Sequence, residues 1–355
     1  MEKKSLVILF GGQSSEHEVS CKSVVTIAKA VDYSGYDTYL VGITKEGRWL
    51  LVNGVKEIED GSWIYNSTTV ILSPDATKKE FLICRNGEYK AYPVDVVFPV
   101  LHGLHGEDGT VQGLLELAKI PYVGCGVVAS AVSMDKLHTK LIASSIGVAQ
   151  AKYIGVHRSE LKDMEQVAKR VEESLPYPVF VKPSNAGSSR GVSKATDRES
   201  LRVALEEAAK HDSKILVEET VIGREIECGV LGGREIKASG VGEVVAASEA
   251  AFYDYDAKYN NAESRTEIHP TFPEGKEEEI RKTAVEIFKA VDGYGLARVD
   301  FFLEKETNRV IFNEINTMPG FTAISMYPML WDAKGVDVAN LVEMLIQLAL
   351  RRYEI

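Results

Sequence analysis

The sequence predicts an α/β protein built from more than one domain. Three observations carry this. The apolar runs "SLVILF", "TYLVGI" and "DVVFPVLHG" alternate with helical patterns over 18–31 and 110–118, which is the strand-helix-strand order of βαβ units. A chain of 355 residues exceeds one ordinary core and suits two or three domains. From 223 onward the strand-like runs "EIECGVLG", "GLARVDFFLE" and "NRVIFNEIN" dominate, flanked by helical patterns over 276–291 and 338–351.

Taken in order, "SLVILF" reads as a first strand, because it is too short for the apolar core of a signal peptide and runs into Gly and acid. After "IPYVGCG" a helical segment extends through "MDKLHTKLIASSIG". The runs "AKYIGV", "PVFVKPS" and "KILVEE" then enclose helices over 159–175 and 198–210, two strand-helix-strand passages that suggest a compact α+β unit. A polar stretch occupies 239–273. Soft boundaries near Gly126 and Val221 divide the chain into 1–126, 127–221 and 222–355, with no internal repeat.

Composition narrows the function. With 41 basic and 52 acidic residues the net charge is -11, which repels nucleic acid and anionic membrane as a whole. Any bound phosphate must meet a local cluster of cations. The four cysteines are scattered without a C-x-x-C pair, which argues against a zinc site or a disulfide framework. No run approaches the length of a membrane span, so a cytoplasmic protein is expected.

The chemistry is concentrated in "GLARVDFFLEKETNRVIFNEIN". Two apolar runs around "KETNR" read as an antiparallel hairpin. If Glu304 faces Val310, Asp300 faces Glu314 and Arg298 faces Asn316, and alternation puts these four on one face with Val299, Phe301 and Ile315 on the other. Opposed carboxylates destabilise a ladder by about 0.2–1 kcal/mol unless neutralised. A hard divalent cation such as Mg²⁺ would do so, and it commonly shares itself with substrate phosphates.

A place for those phosphates is "KPSNAGSSRGV", where Lys182 follows an apolar strand and a Gly/Ser loop can wrap its N–H groups around phosphate oxygens. No P-loop motif is present. "GCGVVA" matches G-x-G-x-x-A, but no acid stands about twenty residues on to hold a ribose, so a dinucleotide site is disfavoured. "HGLHGEDG" brings His102, His105, Glu107 and Asp108 together as substrate-facing polarity rather than a zinc pattern.

Together, "GGQSSEHEVS", "VFPVLHGLHGEDGTVQGLLE", "YVGCGVVASAVSMDK", "VKPSNAGSSRGV", "AFYDYDAKY", "GLARVDFF" and "NEINTMPGFTAISMYP" resemble, in family order and over nearly the whole chain, the D-alanine:D-alanine ligases of the ATP-grasp superfamily. The resemblance implies a three-domain fold that grips ATP between the central and C-terminal sheets, a lid over about 239–273, and a cytoplasmic homodimer. It implies two Mg²⁺ (or Mn²⁺) ions, one held by Asp300 and Glu314 and the other by Glu314 and Asn316. Lys136, Lys182 and Lys258 would meet ATP phosphates, Glu218 and Val221 the adenine, and Glu225 the ribose. Glu16, with Ser188 and Tyr259, would hold the first D-alanine. Arg298 and the Gly320 N–H would stabilise an oxyanion, and His102, Ser325 and Met326 would line the substrate pocket.

One departure stands out. Many relatives carry Glu before the Gly-Ser-Ser of the phosphate loop, whereas this chain has Ala186, as do several D-Ala:D-Ser ligases. D-Serine and D-lactate are therefore the competing second substrates. Another ATP-grasp ligase, or a dehydrogenase reading "GCGVVA", are the remaining alternatives.

Overall fold

A computed structural model describes residues 3–187, 190–245 and 265–354. Three sheets organise it. The first has β1 (Lys4–Gly11), β2 (Tyr36–Ile43), β3 (Trp49–Val52), β4 (Thr69–Leu72), β5 (Glu80–Arg85), β6 (Glu88–Pro93) and β7 (Val96–Val100), in the order β6-β5-β4-β3-β2-β1-β7. The run Leu6–Phe10 is at most 1 % exposed, as a strand covered on both faces must be. Its neighbours β2 and β7 are parallel to it, while β3 to β6 form an antiparallel arm. That arm departs from the uniform βαβ expectation. A signal for its last hairpin is present: Asn86 and Gly87 have φ of 52° and 82°, the left-handed pair that an Asn-Gly turn supplies at low strain. Helix α1 (His17–Ala30) packs on this sheet, α2 (Val55–Glu59) packs on α1, and α3 (Thr110–Ala118) follows β7.

The motif "GCGVVA" serves as a helix entry. Gly126 precedes α4 (Val127–Met134), which breaks at Asp135 before α5 (Lys136–Ser145). The second sheet follows: β8 (Tyr153–His157), β9 (Val179–Pro183), β10 (Ser193–Ala195) and β11 (Lys214–Glu219), antiparallel in the order β10-β9-β11-β8. Helices α6 (Met164–Ser174) and α7 (Arg198–Ala209) cover one face, burying Val179, Val181, Ile215 and Val217 with Val171 and Leu205. By alternation Phe180, Lys182, Leu216 and Glu218 share the other face.

The third sheet has β12 (Gly223–Gly232), β13 (Ile236–Val245), β14 (Arg265–Glu267), β15 (Gly295–Glu304) and β16 (Val310–Asn316), ordered β14-β13-β12-β15-β16. Strand β13 takes in 239–245, so the start of the segment assigned to a lid is sheet, as is Arg265–Glu267 near its end. Helix α8 (Lys276–Ala290) packs Ile280, Ile287 and Phe288 against Val299, Phe301, Phe312 and Ile315. Each large apolar side chain so buried contributes about 1.5–3 kcal/mol. Helix α9 (Met326–Asp332) follows. The last helix, α10 (Val338–Leu350), returns to the first sheet, where Leu341 and Leu345 join the core of Leu6 and Phe10 and the Tyr36 hydroxyl donates to Glu343 (3.1 Å).

Candidate functional site

The face of the third sheet opposite α8 carries its polar residues in rows. Glu227, Asp300 and Glu314 are direct register partners across β12, β15 and β16, and Arg298 faces Asn316 one step along. The sequence reading of this face holds, but by two shifts that cancel. Leu303, and not Glu304, faces Val310, and a bulge at Asn313 then moves the register by one. The bulge has a consequence for the core as well. It lets Phe312 and Ile315, three apart, both face α8, where strict alternation would have turned Phe312 toward the carboxylates.

Three carboxylates in a row require neutralisation, and two cations supply part of it. The Arg298 guanidinium donates to both Asp300 oxygens (2.8 and 2.7 Å) and lies 3.1 Å from Glu227. Lys136 stands 3.3 Å from Glu314 and donates to the Ala186 carbonyl (2.8 Å). Asp135 fixes that lysine at the start of α5. Its Oδ1 accepts from the Leu137 N–H (3.2 Å) and the Ser184 hydroxyl (2.6 Å), and its Oδ2 pairs with Lys214, so the helix start is tied to the end of β9 and the start of β11.

On the face of the second sheet turned away from α6 and α7, Glu218 is buried between two lysines. Lys182 lies 2.7 Å from one oxygen and Lys140 lies 2.6 Å from the other. Burial alone pushes the Glu218 carboxyl up, but the charges and hydrogen bonds of Lys182 and Lys140 outweigh it and hold the group down at about 2. Because the folded pKa lies below the unfolded one, this stability is present above about pH 4.5 and is lost as pH falls toward 2. Glu218→Gln is expected to lose about 3 kcal/mol at neutral pH, since it leaves Lys140 buried without a counter-charge. Urea unfolding at pH 7 and pH 3 checks this. The deficit should shrink at the lower pH, and equal deficits at both would disprove the charge argument.

A third group of residues gathers where the first sheet meets the loop after β16. Glu16 sits at the N-terminus of α1 but makes no cap hydrogen bond, and a Cβ on Gly103 would come within 2.5 Å of its Oε2. A Cβ on Gly187 of the Gly/Ser loop would also collide with it, so glycine at both places lets two loops close on this carboxylate. His102 is 3 % exposed, and burial lowers its pKa. As the neutral ring, its Nδ1–H donates to the Met318 carbonyl (2.8 Å) and its Nε2 accepts from the Ser23 hydroxyl (3.0 Å). The Ser23 oxygen in turn accepts from the Phe321 N–H (3.1 Å). The backbone around Gly320 is thereby pinned from both sides.

Glu107 completes this group. Burial first, and then the charge of Glu16, pushes its carboxyl up to about 8. The Gly103 N–H donates to it (3.0 Å), and the Asn316 amide, turned with its nitrogen toward Glu107, donates to Oε2 (3.0 Å) while accepting from Arg298 (3.2 Å). Beyond Gly320, the Ser325 oxygen accepts from the Thr322 N–H (3.0 Å), and the Met326 thioether packs on Gly242 of β13.

The D-ala D-ala ligase N-terminus family matches residues 5–125, and the C-terminus family of the same name matches 142–347. The chain belongs to the D-alanine–D-alanine ligase family. A D-alanine–D-alanine ligase of Acetivibrio thermocellus is 50 % identical over 99 % of this chain and 97 % of its own length. Among solved structures, the VanG D-Ala:D-Ser ligase of Enterococcus faecalis has a TM-score of 0.89 at 36 % identity, covering 98 % of this chain and 100 % of its own. The D-alanine–D-alanine ligase of Coxiella burnetii has a TM-score of 0.86 at 34 % identity, covering 100 % and 96 %. The three-sheet architecture is that of this ATP-grasp family.

In this ligase the residues singled out from sequence lie on two sheets and one loop cluster. Asp300, Glu314, Asn316, Arg298 and Glu225 lie on β15, β16 and β12; Lys182 and Glu218 lie on β9 and β11, with Val221 just beyond β11; and Lys136 bridges the two. Glu16, His102, Gly320, Ser325 and Met326 surround the junction. Ser188, Lys258 and Tyr259 lie outside the described residues, as does most of the lid segment. Sequence reasoning missed Glu227, Lys140 and Ser23. Glu227 had a signal, since "REIEC" alternates and places it on the face of Glu225. Lys140 and Ser23 had none beyond helical spacing.

Asp300, Glu314 and Asn316 offer the hard oxygen donors a divalent ion takes, and three carboxylates against two cations leave room for its charge. Among the described residues no three His, Cys, Asp or Glu side chains already converge as a metal cage. The donor chemistry fits such an ion, and Arg298 and Lys136 stand against the same carboxylates.

Proposed function

We infer that this chain joins two D-alanines at the expense of ATP, giving D-alanyl-D-alanine for the cell wall, together with ADP and phosphate. The observation that carries this is the family match to both parts of the chain. Its chemistry follows from the amide bond. A carboxylate is a poor electrophile, so one oxygen of the first D-alanine attacks the γ-phosphorus of ATP and ADP leaves. The amine of the second D-alanine then attacks the carbonyl carbon of the acyl phosphate. Phosphate departs and the amine proton goes to solvent or a base.

On this reading Lys136 and Lys182 bind ATP phosphates, Glu218 and Val221 the adenine, and Glu225 the ribose. Asp300, Glu314 and Asn316 hold two Mg²⁺ or Mn²⁺ ions, whose chemistry is to neutralise the phosphoryl oxygens. Glu16 takes the ammonium of the first D-alanine. Arg298 and the Gly320 N–H, the latter positioned through His102 and Ser23, stabilise the tetrahedral oxyanion. Ser325 takes the carboxylate of the second substrate, Lys258 reaches the γ-phosphate, and Ser188 and Tyr259 join Glu16 on the first D-alanine. We assign 1–126, 127–221 and 222–355 as its domains, with a lid over about 239–273, and a cytoplasmic homodimer as its state. Among the described residues no helix is long and apolar enough to cross a membrane. Sedimentation velocity tests the dimer, and coupled ADP release that requires D-alanine tests the reaction.

A D-Ala:D-Ser ligase among the similar structures makes D-serine the competing second substrate. In the resembling D-Ser ligases an arginine follows the carboxylate-binding serine, and here Met326 stands there with its sulfur against Gly242. A hydroxyl buried without a partner costs about 1–3 kcal/mol, about tenfold to a hundredfold in rate. With D-alanine and equimolar D-serine or D-lactate, D-alanyl-D-alanine is the expected main product. A mixed product in excess would reverse the assignment.

A further inference from the structure

Among the described residues Lys140 is 1 % exposed, a burial that lysine tolerates only with a counter-charge. It projects from α5 onto Glu218 of β11 (2.6 Å) and lies over the Tyr153 ring of β8 (5.2 Å). Gln150 donates to its backbone carbonyl (2.9 Å), which secures that turn of the helix. Lys182 differs. Its side chain is 17 % exposed, it lies on the other Glu218 oxygen (2.7 Å), and it stands at the entrance of the phosphate loop. One carboxylate thus has two cations, of which one is locked in and the other is partly exposed.

We propose that Lys140 is a positioning residue for base recognition: it holds Glu218 ionised and oriented when Lys182 moves to the nucleotide phosphates, leaving the second carboxylate oxygen to accept from the exocyclic amine of adenine. The proposal rests on the assignment of Glu218 to the adenine. An ionised carboxylate is acceptor-only, so it favours the 6-amino group and repels the 6-carbonyl of guanine. Without Lys140, departure of Lys182 would leave a buried carboxylate with no cation. The carboxylate would then retain Lys182 or take up a proton and become able to donate to a carbonyl. Glu218, held down at about 2 by its two lysines despite burial, is consistent with this division of labour.

The test is steady-state kinetics of Lys140→Met with ATP and GTP. The expected result is a rise of about tenfold to a hundredfold in KM for ATP, with kcat at saturating ATP changed less than about threefold and the ATP-over-GTP preference in kcat/KM reduced by about tenfold or more. A folded Lys140→Met enzyme with unchanged KM and unchanged preference would overturn the proposal. Glu218→Gln separates the two layers. If it too leaves the preference unchanged, the adenine assignment of Glu218 fails; if it abolishes the preference while Lys140→Met does not, only the role of Lys140 fails. Should Lys140→Met not fold, the neutral pair Lys140→Met with Glu218→Gln replaces it. That pair should match Glu218→Gln in KM for ATP within about twofold, and a further tenfold rise would show that Lys140 acts other than through Glu218.

Discussion

Glu314→Gln is expected to reduce turnover about a thousandfold while the protein stays folded. Glu314 is the one carboxylate shared by both proposed metal positions, and it is the group facing Lys136 (3.3 Å). Neutralising developing phosphoryl charge is worth several kcal/mol, and a loss of about 4 kcal/mol is about three decades in rate. Stability should change little, because the side chain is 24 % exposed and the replacement is isosteric. It even relieves the like-charge opposition with Asp300. Single-turnover ADP release at saturating Mg²⁺, alongside urea unfolding, checks both halves. Turnover within tenfold of the parent enzyme would remove Glu314 from the catalytic centre.

Arg298→Ala is expected to damage both stability and catalysis. Its guanidinium binds Asp300 bidentately and also reaches Glu227, and all three side chains are at most 16 % exposed. Truncation leaves two adjacent, nearly buried carboxylates without their cation, which costs about 3–5 kcal/mol. Loss of the proposed oxyanion donor removes a further hundredfold to thousandfold from kcat, on the order of other such deletions. Lysine should rescue poorly, since a point charge cannot make both Asp300 bonds. Millimolar Mg²⁺ should restore part of the lost stability by binding the released carboxylates, and little of the turnover. Urea unfolding with and without Mg²⁺ reads the first effect. A variant as stable as the parent enzyme and indifferent to Mg²⁺ would mean that these carboxylates form no cation site.

Much of the fold was legible because the signals are local. The burial of Leu6–Phe10, the helix Thr110–Ala118 and the hairpin over 295–316 follow from apolar period and turn residues within about twenty positions. The arm from Trp49 to Pro93 was not read, because its strands are only four to six residues long and its last strand is largely exposed, so the apolar signal is weak. The bulge at Asn313 was invisible for a related reason: "VIFNEIN" satisfies alternation at either end, and only the demand that Phe312 reach the α8 core breaks it.

The sequence by itself determined the set of chemical groups and the family: lysine before a Gly/Ser loop, opposed carboxylates at a hairpin end, and the order of seven motifs. These are properties of composition and short spacing, which one strand or one loop expresses without help from the rest. The tertiary structure alone decided which charges meet. Lys136 reaches Glu314 across 178 positions, and His102 holds the Met318 carbonyl across 216. Glu218 lies between Lys182 and Lys140 because β9, β11 and α5 converge there. Such pairings depend on how sheets and helices pack, and packing is settled by the burial of apolar faces far from the charged residues themselves.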